Sequence, residues 1–126
     1  MFGMRKKQDS ELTAAVAELA AAHRVSFGGV GMAGTLLPET EAYHRIEAVA
    51  ADHPDQVREQ LDRLLATATA AGRVYAATLL AQLDPAAGRA AWTVLRGVPD
   101  ELPTATGCVL DTTTVGEYAA ERLAGS

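Results

Sequence analysis

From Val74 to Leu83 the chain reads VYAATLLAQL, and only Thr78 and Gln82 in that run are polar. Alanine and leucine are among the strongest helix formers, and a helix that is apolar almost all round must be enclosed by other elements. That requirement constrains the chain more than any other feature. The elements able to meet it are helices. About a fifth of the 126 residues are alanine and only six are aromatic, so flat helical surfaces can approach closely. The expected fold class is all-α, a compact stack of about six helices in a single domain spanning 1–126, with 1–9 as a frayed tail. At this length folding buries roughly two-thirds of the unfolded surface, enough for a core without staples.

The remaining helices are read from periodicity and caps. Ser10 is a suitable N-cap, and Leu12, Val16, Leu19 and His23 recur on one face, which predicts a helix over about 10–24. Pro38 suits a first helical turn, and Ala42, Ile46, Val49 and Ala50 form the inner stripe of a second helix, with Glu41 and Arg45 paired outside. Asp52 or His53 caps a third helix that Pro54 opens and Gly72 terminates. Its inner residues are Val57, Leu61, Leu64, Leu65 and Ala68, with Arg58–Asp62 and Glu59–Arg63 as surface pairs. The apolar run is the fourth helix, and Asp84-Pro85 reads as an N-cap and first turn for a fifth that ends at Gly97. Residues 97–107 read as a loop, and 108–113 as a short extended segment with no strand partner. Thr114 and Glu117 have capping-box spacing for a last helix over about 115–124.

The segment RVYAATLLAQLDPAAGRAAWTVL resembles a HEAT-type repeat of the bacterial, lyase-associated variety. Arg73, Ala76-Ala77, Leu80, Leu83 and Asp84-Pro85 match that motif, although the usual glycine before the aspartate is missing. The resemblance covers about residues 73–95 and implies antiparallel helix pairs stacked side by side, a surface used to bind other proteins.

Gly29-x-Gly31-x-x-Gly34 has the spacing of a dinucleotide-binding fingerprint. That chemistry needs a strand before the glycines and a helix beginning among them. Here a helix precedes, only RVSF could be extended, and Pro38 postpones the next helix. The segment 26–37 therefore reads as a Gly-rich connection that could contact a partner, and no cofactor is expected. His23, His44 and His53 lack metal-ligand spacing, and Cys108 is remote from all three, so no metal is expected. A lone cysteine also rules out an internal disulfide and fits a reducing cytosol. No uncharged run approaches the roughly 18 residues of a membrane span. The net charge of −5 disfavours nucleic acid, and Arg5-Lys6-Lys7 reads as a solubilising tail.

What remains is another protein as partner. Arg89, Trp92 and Arg96 share a helical row and would form a basic, aromatic ridge on an acidic chain. Tyr75, Asp100 and Glu101 complete the candidate contact residues. The expected function is a non-catalytic protein-binding module, in one version a cytosolic neutraliser of a toxin and in another an adaptor. The alternative is a small enzyme or ligand-binding protein using the 26–37 loop and Cys108.

Overall fold

A computed structural model describes residues 2–28 and 36–125, with side chains from Ser10 onward. The described elements are α1 (Phe2–Ala20), α2 (Pro38–Asp52), α3 (Pro54–Thr67), α4 (Ala70–Leu83), α5 (Pro85–Leu95), β1 (Glu101–Thr106), β2 (Val109–Thr114) and α6 (Val115–Ala124). The fold is an all-α stack carrying one two-stranded antiparallel hairpin. The fingerprint-like glycines, Gly29, Gly31 and Gly34, lie outside the described residues.

Helix α4 is the centre of the stack, as its composition requires. Val74, Tyr75, Ala76, Ala77, Leu79 and Leu80 are all buried, and α4 packs against helices α1, α2, α3, α5 and α6. Thr78 and Gln82, the polar residues that interrupt its apolar run, are both satisfied. Thr78 donates its hydroxyl to the Val74 carbonyl at 2.8 Å, and the Gln82 amide donates to the Tyr43 hydroxyl at 2.7 Å. Asp84 is the single residue between α4 and α5, and its carboxylate accepts the Ala86 and Ala87 N–H groups. Pro85 follows at the first position, so the reversal into α5 is built locally. Gly88 then faces Ala81 so closely that a Cβ there would overlap the Ala81 Cα and Cβ.

Several boundaries differ from those the sequence suggests, each for a tertiary reason. Helix α1 starts at Phe2, so Ser10 does not cap it, and it stops at Ala20 rather than near residue 24. Its closing carbonyls are taken over by α4's N-cap. The Thr69 N–H bonds the Ala20 carbonyl at 3.1 Å, and the Thr69 hydroxyl bonds that of Ala22 at 2.5 Å. The buried face of α1 is consequently Leu12, Ala15 and Leu19, continued by Ala22, while His23 is exposed. Gly72 does not terminate α3. It sits in the first turn of α4, where its missing side chain leaves room for the Leu19 carbonyl of α1. Arg58 reaches across to Asp84 at 2.9 Å rather than pairing with Asp62.

The sheet is the main departure. Residues 101–106, expected as loop, form β1 and pair with β2 in the register Glu101↔Thr114 through Thr106↔Val109. Gly107 and Cys108 make the two-residue turn, with Gly107 at φ +57°, the conformation a tight hairpin needs at its first central position. Pro103 lies in β1 with its carbonyl turned to the outer edge, where it accepts the Val25 N–H at 2.9 Å. Ala105 in turn donates to the Val25 carbonyl at 3.0 Å, so Val25 adds a short parallel bridge to that edge. A proline missing its own N–H is tolerated at such an edge position. Among the described residues no helix is long and apolar enough to cross a membrane.

Candidate functional site

The proposed contact residues do not form one site. Tyr75 is fully buried. Its hydroxyl accepts the Ser26 N–H at 2.7 Å and donates to the Ser26 carbonyl at 2.9 Å, and the Thr40 hydroxyl donates to the same carbonyl at 2.6 Å. Burial pushes the Tyr75 phenol up to about 12. Phe27 packs edge-on against both Tyr43 and Tyr75, with ring centroids 5.0 and 5.3 Å apart. Tyr75 therefore anchors the segment entering the glycine-rich connection instead of meeting a partner. A phenol on a helix enclosed on all sides can only serve the interior.

Trp92 is also largely withdrawn from the surface, with 6% of it exposed, and reaches solvent at the wall of a recess between α5 and α6. It packs against Tyr118 of α6 at a centroid distance of 5.8 Å. Arg89 and Arg96 of the expected ridge stay exposed on α5, so the ridge reduces to two arginines over a buried indole. Asp100 and Glu101 are exposed at the root of the hairpin, where the Asp100 carbonyl accepts the Val115 N–H at 2.9 Å. Gly116 donates to the Val98 carbonyl at 2.9 Å, and a Cβ on it would lie 2.7 Å from the Arg96 carbonyl. These bonds hold the end of α5, the hairpin root and the start of α6 as one joint.

The strongest surface feature is one that the sequence reading missed. Residues 106–112 are all exposed, seven in succession along a paired hairpin. At its tip Val109 is 63% and Leu110 72% exposed, next to the exposed free Cys108. Successive strand residues point to opposite faces, so the tip is apolar on both sides. The ladder alternation leaves the N–H and C=O of Leu110 on the outer edge of β2. Thr112 N–H, on the same edge, is held by the Asp111 carboxylate at 2.8 Å. The signal in the sequence was the β-branched run around VLDTTT, which makes a strand only because ELPTAT pairs with it.

Of the recesses that flank these elements, two have polar or charged walls that bear on function. A cavity of about 520 Å³ lies between the hairpin, residues 25–28 and α6, with Ser26, Thr104, Thr106, Asp111, Thr113 and Glu121 in its wall. A smaller one, about 220 Å³, opens between α5 and α6 with Arg89, Trp92 and Arg122 in its lining. Neither holds a metal-binding arrangement. Among the described residues no three His, Cys, Asp or Glu side chains converge as metal ligands. No family model, characterised protein or solved structure matches this chain.

Proposed function

We propose that this chain is a non-catalytic protein-binding module, a HEAT-like helical stack that recognises a partner protein through its hairpin arm. The observation that carries the reading is the arm's tip, where Val109 and Leu110 stand 63% and 72% exposed on a strand anchored to the helical body. Fully burying a side chain of this size returns roughly 1.5–3 kcal/mol, and the paired ladder means little ordering is needed on docking. Asp84 capping α5 with Pro85 in its first turn is in keeping with the Asp-Pro of the HEAT-type motif, although the turn between α4 and α5 is one residue shorter than that motif has it.

Two versions of the role fit an acidic chain of net charge −5. One is a cytosolic neutraliser that occludes the basic active site of a toxin, and the other an adaptor in a larger bacterial assembly. The test recovers tagged protein from its native lysate, with neighbouring genes co-expressed, as wild type and as Val109→Asp with Leu110→Asp. Wild type retains a stoichiometric partner and the double variant releases it, with an unchanged melting temperature because both side chains are exposed. No partner on wild type, or equal retention by the two proteins, refutes the reading. Protection of cells from a co-expressed toxin then separates the neutraliser from the adaptor.

A further inference from the structure

The α5 segment and the residues that follow it, as far as Pro99, carry positive charge alone. Residues 85–99 contain Arg89 and Arg96 and no acid, in a protein with 16 acidic and 11 basic residues. Arg89 makes no ion pair among the described residues, whereas Arg58 and Arg45 do. Beside it lies the recess of about 220 Å³ whose wall is Ala81, Pro85, Arg89, Trp92, Arg122 and Leu123. Four of those six residues are apolar, two are arginines, and none is acidic.

The second arginine is held in place. The Arg122 guanidinium donates to the Tyr118 hydroxyl at 2.6 Å and lies over the Tyr118 ring, 4.9 Å from its centroid. Tyr118 in turn leans on Trp92. Arg122 is thereby positioned by a neutral partner that leaves its charge uncompensated, and five guanidinium N–H donors offer more bonds than one phenol can accept. Asp84, one residue before α5, is bound by Arg58 and two α5 N–H groups. Glu121 and Arg122 both line the cavity on the hairpin side, but among the described residues no ion pair joins Glu121 to Arg89 or Arg122.

We infer that the α5–α6 recess is a docking site for an acidic segment of a partner protein, which places a carboxylate between Arg89 and Arg122 and an apolar side chain against Trp92 and Leu123. This rests on the protein-binding reading but uses a surface distinct from the arm. Charge complementarity selects the occupant: two uncompensated arginines at an apolar recess favour a carboxylate beside a hydrophobic residue over a basic or purely apolar one.

Trp92 is the only tryptophan of the chain, so its emission reports on this recess alone. The experiment titrates the full chain with synthetic peptides alternating Glu and Leu, and with the same peptides carrying Gln for Glu, at low and high salt. A saturable change in Trp92 emission is expected with the Glu peptide, weakening at high salt and absent with the Gln peptide. Arg89→Glu alone, and with Arg122→Gln, weakens it by about tenfold or more, as loss of a charge-assisted bond implies. Val109→Asp with Leu110→Asp leaves it intact. No emission change, an equal response to the Gln peptide, indifference to Arg89→Glu, or loss through the arm variant overturns the inference. Partner capture that depends on the arm, together with no peptide response, removes this site while leaving the protein-binding reading standing. A peptide response in a protein that captures no partner does the reverse.

Discussion

Replacing Gly88 by alanine sets two opposed quantities against each other. In a helix interior alanine is favoured over glycine by about 1 kcal/mol, so intrinsic propensity predicts stabilisation. The tertiary contact predicts the contrary. A Cβ at position 88 would overlap the Ala81 Cα and Cβ and sit 2.9 Å from the Ala81 nitrogen, where ordinary contact begins near 3.4 Å. These are backbone-fixed atoms that cannot rotate aside, so α5 must withdraw from α4 by at least about 0.5 Å. A gap of that size forfeits roughly a quarter of the dispersion energy of each atom pair it separates. Trp92 and Leu95 lie on the same buried face and lose contact with it. Overpacking of this kind costs about 1–3 kcal/mol, toward the upper end where backbone must move. The expected net effect is a destabilisation of about 1–2 kcal/mol, which lowers the melting temperature of a domain this size by about 4–8 °C. Gly97→Ala is the matched control. The nearest atom to its added Cβ is 3.7 Å away, and its φ is not positive, so it melts at the wild-type temperature or slightly above. Thermal unfolding followed by circular dichroism measures both. A Gly88→Ala protein as stable as wild type would show that α4 and α5 do not meet this closely.

Tyr75→Phe strands the buried Ser26 N–H, which costs about 1–3 kcal/mol and lowers the urea midpoint without changing the slope; an unshifted midpoint would mean that Ser26 finds another partner. The Tyr75 phenol, raised by burial from 10.0 to about 12, stays protonated in the native state while the unfolded chain ionises. Its contribution is therefore intact below about pH 10 and lost as pH rises toward 12. Tyr43, also raised by burial, adds to the same alkaline limb, so Tyr75→Phe shallows the melting-temperature profile there without abolishing it. At the other end, the Ala87 N–H first and the Arg58 guanidinium next hold the Asp84 carboxyl below its ordinary 3.8. That stabilisation is present above the ordinary value and disappears as pH falls through the lower native one. Asp84→Ala lowers the melting temperature at neutral pH and narrows its difference from wild type in acid; a constant difference across the acid range would refute the assignment.

Much of the helical framework was legible because it rests on local rules. The apolar run of α4 demanded enclosure whatever surrounded it. Asp84-Pro85 and Thr114 supply caps within their own turns, and the observed starts of α5 and α6 coincide with them. Proline at 38 and 54 likewise opens α2 and α3. Periodicity also located the inner faces of α2 and α3, since a face buried against one neighbour repeats at helical spacing.

Tertiary structure decided whatever depended on a distant partner. Nothing near Gly72 reveals that the Leu19 carbonyl occupies its side-chain space, so a helix-ending glycine and a close-contact glycine look alike in sequence. Nothing near Tyr75 reveals that Ser26, 49 residues away, needs its hydroxyl. The hairpin depended on partnership most of all. ELPTAT contains a proline and no apolar alternation, and it becomes a strand because VLDTTT lies opposite and Val25 bonds its free edge. The candidate sites follow the same division. Arg89 and Arg96 were visible as charges on one helical row, but the burial of Trp92, the placing of Arg122 by Tyr118 and the exposure of Val109 and Leu110 arise from packing between elements. Sequence alone determined most of the helices and the caps at Asp84 and Thr114, because those energies are settled within a turn or two. The arm and the arginine-lined recess exist only where separate segments meet.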